Sequence, residues 1–119
     1  MKVDEFIEFQ KRTTAERMDI MVNKGREYTK GDTDKLANFK EVAAQLKQDP
    51  LTVWAVYFAK HIASIMSYVQ NRQVYSESIE SRFFDALNYL DLGLALISEA
   101  RGQNEAIKEA YDKAKSLPF

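Results

Sequence analysis

Apolar residues recur every three or four positions through most of the chain, and that is the period of an α-helix rather than the two-residue alternation of a strand. The most apolar stretch runs from Leu51 to Leu96. It holds a Trp- and Tyr-rich segment, VWAVYFAKHIASIMSYV, a polar joint over 71–76, and a second apolar segment, SIESRFFDALNYLDLGLAL. The spacing predicts two long helices facing each other. Asp49-Pro50 marks the start of the first, because aspartate caps a helix and proline is harmless at its first position. On it Leu51, Trp54, Phe58, Ile62, Ile65 and Val69 share one face, with His61 and Tyr68 at its edge and Lys60 on another flank. The second begins near Glu77, turns Ile79, Phe83, Ala86, Leu87, Leu90, Leu94 and Ile97 to one broad face, and ends or bends at Gly102. Phe84, Leu92 and Ala95 interrupt its polar arc, which points to contact with more protein on that side.

Upstream, Val3, Phe6, Ile7, Phe9, Met18, Ile20 and Met21 predict a first helix from Val3 to about Lys24, with Gly25 as its stop and a loop over 26–33. Asp34 then caps a short helix reaching about Gln48, striped by Leu36, Phe39, Val42, Ala43 and Leu46. Asn38 lies off that stripe, a mid-helix asparagine that needs solvent or a partner. A final amphipathic segment, NEAIKEAYDKAKSLPF, follows Gly102. The expected fold is all-α: one domain over 1–119, a bundle of four to five helices.

Charge and composition narrow the function. The chain carries 17 basic and 18 acidic residues, so no global field favours a nucleic-acid backbone or an anionic bilayer. It has no cysteine, which excludes disulfides, thiolate metal sites and cysteine nucleophiles. Neither a signal peptide nor a membrane span is visible, and the cytoplasm is the expected compartment. There is no Gly-rich phosphate loop, nucleophile elbow or paired-histidine zinc motif.

The remaining candidates for chemistry are few. His61 reads either as a hydrogen-bonded core residue or as a ligand contact, with Asp85 or Asn88 as its partner from the next helix. An aspartate there would favour the imidazolium, an anion donor. Lys60 suits phosphate as readily as solvent. Glu77 and Glu80, three apart, would share a helical face and offer oxygen ligands to Mg²⁺, and Asp85 stands well round the helix from Glu80. Glu16 and Asp19 make a similar pair on helix one, with a solvated face as the simpler reading. Tyr28, in the expected loop, is a candidate to stack on a base.

KGREY at Lys24 to Tyr28, DKLANF at Asp34 to Phe39, AKH at Ala59 to His61 and ESRFFDALNYL at Glu80 to Leu90 form an ordered pattern over about two-thirds of the chain. That pattern resembles the small helical proteins of phages and prophages known as nucleotide-modification-associated domains. More distantly it is similar to the MazG-like all-α nucleoside triphosphate pyrophosphohydrolases. The resemblance implies a role in nucleotide metabolism, a dimer or higher oligomer, Mg²⁺ on acidic helices, and a ligand site drawn from Tyr28, Asn38, Lys60, His61, Asp85 and Asn88. The pyrophosphohydrolase pattern has glutamate and aspartate three apart on its later helix, whereas here Asp85 is followed by Asn88. That amide leaves nucleotide binding as the first expectation and hydrolysis as the second. Two other readings stand beside them: a non-enzymatic protein that sequesters a nucleotide signal, and a helical module that assembles with protein.

Overall fold

A computed structural model describes residues 1–28, 34–102 and 104–116, with nothing said of the side chains of 24–28 and 104–107. Five helices are present among the described residues and no strand: α1 Val3–Tyr28, α2 Ala37–Leu46, α3 Pro50–Asn71, α4 Ile79–Arg101 and α5 Asn104–Lys115. No helix among them is long and apolar enough to cross a membrane.

The helix ends follow local chemistry. The Asp49 carboxylate accepts from the Leu51 N–H at 2.7 Å, and Pro50 opens α3 as the sequence predicts. Arg72, in the left-handed conformation, closes α3 by donating its N–H to the Tyr68 carbonyl. The Ser78 side chain accepts from the Ser81 N–H at 3.1 Å, so α4 starts at Ile79 rather than near Glu77. Gly102 ends α4 with a φ of 62°, the conformation glycine adopts cheaply. Gly25 does not stop α1, which continues through it to Tyr28. One glycine inside a helix costs about 1 kcal/mol, and that is not enough to terminate it among residues that themselves tolerate helix.

Asp34 shapes the entry to α2 from one turn upstream. Its carboxylate accepts from the Leu36 N–H at 2.9 Å and pairs with Lys40. The helix proper starts at Ala37, which places Asn38 in its first turn instead of mid-helix.

α3 and α4 form an antiparallel hairpin, and α2 lies across one side of it. The core is the contact of these three: Leu36 at the cap of α2, Phe39 and Ala43 within it, Val53 from α3 and Leu96 from α4, with Trp54, Tyr57, Tyr89 and Leu92 packed around them. Trp54 stacks on Phe58 and donates its indole N–H to the Tyr89 carbonyl, which seats the ring against Gly93. The apolar stripe expected on α3 is thus divided. Trp54, Phe58 and His61 turn to α4, while Ile62 and Val69 are exposed.

α4 carries three rows at three-to-four spacing. Ala86, Tyr89, Gly93 and Leu96 meet α3 and α2; Asn88 and Asp91 meet α1; Phe83, Leu87, Leu90 and Leu94 are each 44–52% exposed. The broad apolar face expected to pack on α3 is therefore split, with its most apolar row left outside. The Cα radius of gyration is 16.5 Å. A compact domain of this length has about 13.5 Å.

Candidate functional site

The polar groups of the hairpin fall on definite flanks. Lys60 stands seven residues after Val53, two helical turns on, and so shares the flank of α3 that packs on α2. Asp85 stands seven and eleven residues before Leu92 and Leu96, on the flank of α4 that also packs on α2. Helical spacing therefore sets both along one valley between α3 and α4, the one in which α2 packs. His61 lies at the floor of the seam. Its ring packs on Tyr89 with centroids 4.3 Å apart, and Tyr89 in turn meets Phe39 edge-on at 6.0 Å. Among the described residues the imidazole makes that ring contact and no hydrogen bond. Asp85, expected as its hydrogen-bond partner, is half-buried and partnered elsewhere. Lys60 is exposed, with no ion pair among the described residues.

Asn88 goes elsewhere. It is 6% exposed; its Oδ1 accepts from Arg17 at 3.1 Å and its Nδ2 donates to the Arg17 carbonyl at 3.4 Å. The same guanidinium pairs with Asp91. Arg17 sits between Thr13 and Ile20 on the inward stripe of α1, where a cation must find partners, and it fixes α1 to α4. The amide at position 88 is thus a helix-docking group facing away from the valley. Sequence reasoning missed Arg17 and Tyr89, although Arg17's place within an apolar stripe was a signal that something polar stands opposite.

Asn38 is exposed on α2 with no hydrogen-bond partner among the described residues. Tyr28 is the last residue of α1, not part of a loop, and its side chain lies outside the described residues. Glu77 precedes the Ser78 cap, so the helical argument that set it on one face with Glu80 does not apply; both are exposed. Glu80 instead occupies the first turn of α4, where a carboxylate suits the helix dipole. Among the described residues no three histidine or carboxylate side chains gather at metal-holding distance. A shallow open groove lined by Ile7, Phe9 and Arg12 runs along the first half of α1, and Glu16 and Asp19 follow on the same helix, both exposed.

One cluster has shifted ionisation. Lys40 pairs with both Asp34 and Glu99, joining the start of α2 to the end of α4. The Lys40 hydrogen bond, helped by the Leu36 N–H, holds Asp34 below its ordinary value, and the two carboxylates raise Lys40 above its own.

No family model, curated protein or solved structure matches this chain.

Proposed function

We propose that the chain binds a nucleotide or a related phosphate-bearing small molecule in the α3–α4 valley, in the manner of a phage nucleotide-metabolism protein. What supports this most is the helical spacing that sets Lys60 and Asp85 along one side of the seam where His61 packs on Tyr89. Lys60 supplies a mobile cation for phosphate, the His61 ring offers an N–H donor held in place by Tyr89, and Asp85 is an acceptor for a sugar hydroxyl or base amine. The ordered motifs shared in style with nucleotide-modification-associated and MazG-like proteins point the same way. A dedicated carboxylate cage does not fit the residues described. Mg²⁺ arriving with the ligand's phosphates needs only one or two carboxylates, and Asp85 is the one at this seam, Glu80 standing well round α4 from it.

A second reading, a helical module that assembles with protein, draws on the exposed row Phe83, Leu87, Leu90 and Leu94. The two are separated by titration calorimetry with nucleoside mono- and triphosphates and cyclic nucleotides, with and without Mg²⁺, assaying the same samples for product. Saturable binding is expected. Lys60→Ala and Asp85→Ala each weaken it at least about tenfold, the worth of one charge-assisted hydrogen bond, with the helical circular dichroism retained. Asn88→Ala lowers the thermal midpoint and leaves affinity nearly unchanged. Pyrophosphate release would assign an enzyme; binding of intact ligand would assign a sequestering protein. No heat from any nucleotide with a folded sample removes this reading in favour of the module.

A further inference from the structure

The α3–α4 hairpin has a second side, turned away from α2 and from the valley of Lys60 and Asp85. There Phe83, Leu87, Leu90 and Leu94 of α4 stand exposed in a row, and Ile62, Met66 and Val69 of α3 stand exposed beside them. Helical spacing sets the α3 group opposite Val53 and the α4 group opposite Leu92 and Leu96, so the two rows form one continuous apolar face. No charged residue interrupts the α4 row between Phe83 and Leu94.

We propose that this face is the interface of a two-fold symmetric dimer, in which the hairpins of two copies pack as a four-helix bundle. Area is the first argument. A compact 13.7 kDa monomer presents about 6,600 Å², whereas this chain presents 9363 Å². The excess, about 2,800 Å² over the whole chain and shared with the exposed length of α1, is of the order of the roughly 1,000–2,500 Å² that each subunit buries in an obligate homodimer.

Spacing is the second argument and selects a copy of the same chain. The intervals from Phe83 to Leu87, Leu90 and Leu94 are four, three and four, the seam spacing of packed helices. They read the same in either direction. A two-fold axis crossing α4 between Leu87 and Leu90 therefore sets Leu87 against Leu90 of the second copy and Phe83 against Leu94, as a self-complementary interface requires. Charge is the third. Glu80 borders the row at the start of α4 and Arg101 continues it at the end, so antiparallel copies bring opposite charges to the same edge. The assembly uses the side of the hairpin away from Lys60 and Asp85, and it stands whether or not a nucleotide binds there.

Light scattering after gel filtration reads the mass of the 119-residue chain, and the expected value is twice 13.7 kDa. Leu87→Glu with Leu90→Glu should halve it or, where the monomer cannot stand alone, unfold the chain. A second measurement does not depend on that outcome. The chain has no cysteine, so Leu87→Cys adds a single thiol at the proposed axis, and Gln45→Cys adds one on the outer side of α2. A short bismaleimide should link Leu87→Cys into a covalent dimer and leave Gln45→Cys monomeric. A monomeric wild-type chain at micromolar concentration, equal crosslinking of the two variants, or a native-like dimer that survives both glutamates would overturn the interface.

Discussion

At the scale of single residues, the tightest constraint is between Trp54 and Gly93. A Cβ added at Gly93 would lie 2.6 Å from both Cε2 and Cζ2 of the indole, and that ring cannot swing aside. Its N–H is committed to the Tyr89 carbonyl, and Phe58 stacks on its face with centroids 4.9 Å apart. Alanine is favoured over glycine within a helix by about 1 kcal/mol. Displacing a packed aromatic costs about 1–3 kcal/mol, on top of the strained hydrogen bond. Gly93→Ala is therefore expected to lower stability in urea unfolding, by up to about 2 kcal/mol net, and to shift the fluorescence of the only tryptophan. A raised midpoint would mean that the indole does not rest on Gly93. Sequence alone reads Gly93 as an indifferent helical glycine, because its reason is a side chain 39 positions earlier.

Among the helices, what could be read from sequence was whatever depends on neighbours in the chain. Asp49-Pro50 starts α3 because cap and proline act within one turn, and the helical period of all five elements shows in the same way. The end of α1 was misjudged because Gly25 has no conformational demand of its own when the helix continues through it. Which apolar row meets which partner was also hidden, since period identifies a face but not its neighbour: α4 turns Tyr89 and Gly93 to α3, Asn88 to α1, and leaves Leu87 44% exposed. Of the site candidates, His61 packs on Tyr89 and Lys60 and Asp85 are placed beside that seam by helical spacing alone, while Asn88 was claimed by an arginine 71 residues away. The Asp34, Lys40 and Glu99 cluster is a contact of the same distant kind. Asp34 titrates below its ordinary value, so its contribution holds at neutral pH and is lost as acid protonates it through that lowered value. Lys40 titrates above its ordinary value, so its contribution is complete below about pH 10 and fades as pH rises through the raised one. The thermal midpoint of wild type minus Lys40→Met should thus be positive and level from about pH 5 to 10, closing in acid and in strong alkali. Because the groups are partly exposed, salt should shrink it. A difference independent of pH would leave these ion pairs without a role.

For the whole molecule, the balance of buried and exposed surface decides what unit folds. The core of Leu36, Phe39, Ala43, Val53 and Leu96 is confined to the α2 side of the hairpin, and no described side chain reaches full burial. A chain with so little interior leaves the apolar row from Phe83 to Leu94 about half exposed. If two copies cover that row, unfolding and dissociation become one transition and stability depends on concentration by mass action. The size of the effect follows from the unfolding enthalpy. At about 0.7 kcal/mol per residue near 60 °C, two chains of 119 residues give roughly 165 kcal/mol. A tenfold rise in protein concentration should then raise the midpoint by about 3 °C, and calorimetry from micromolar to near-millimolar chain resolves that slope easily. A midpoint that does not move over this range would mean that each chain folds alone with its apolar row in water, and the four-helix assembly would have to be abandoned.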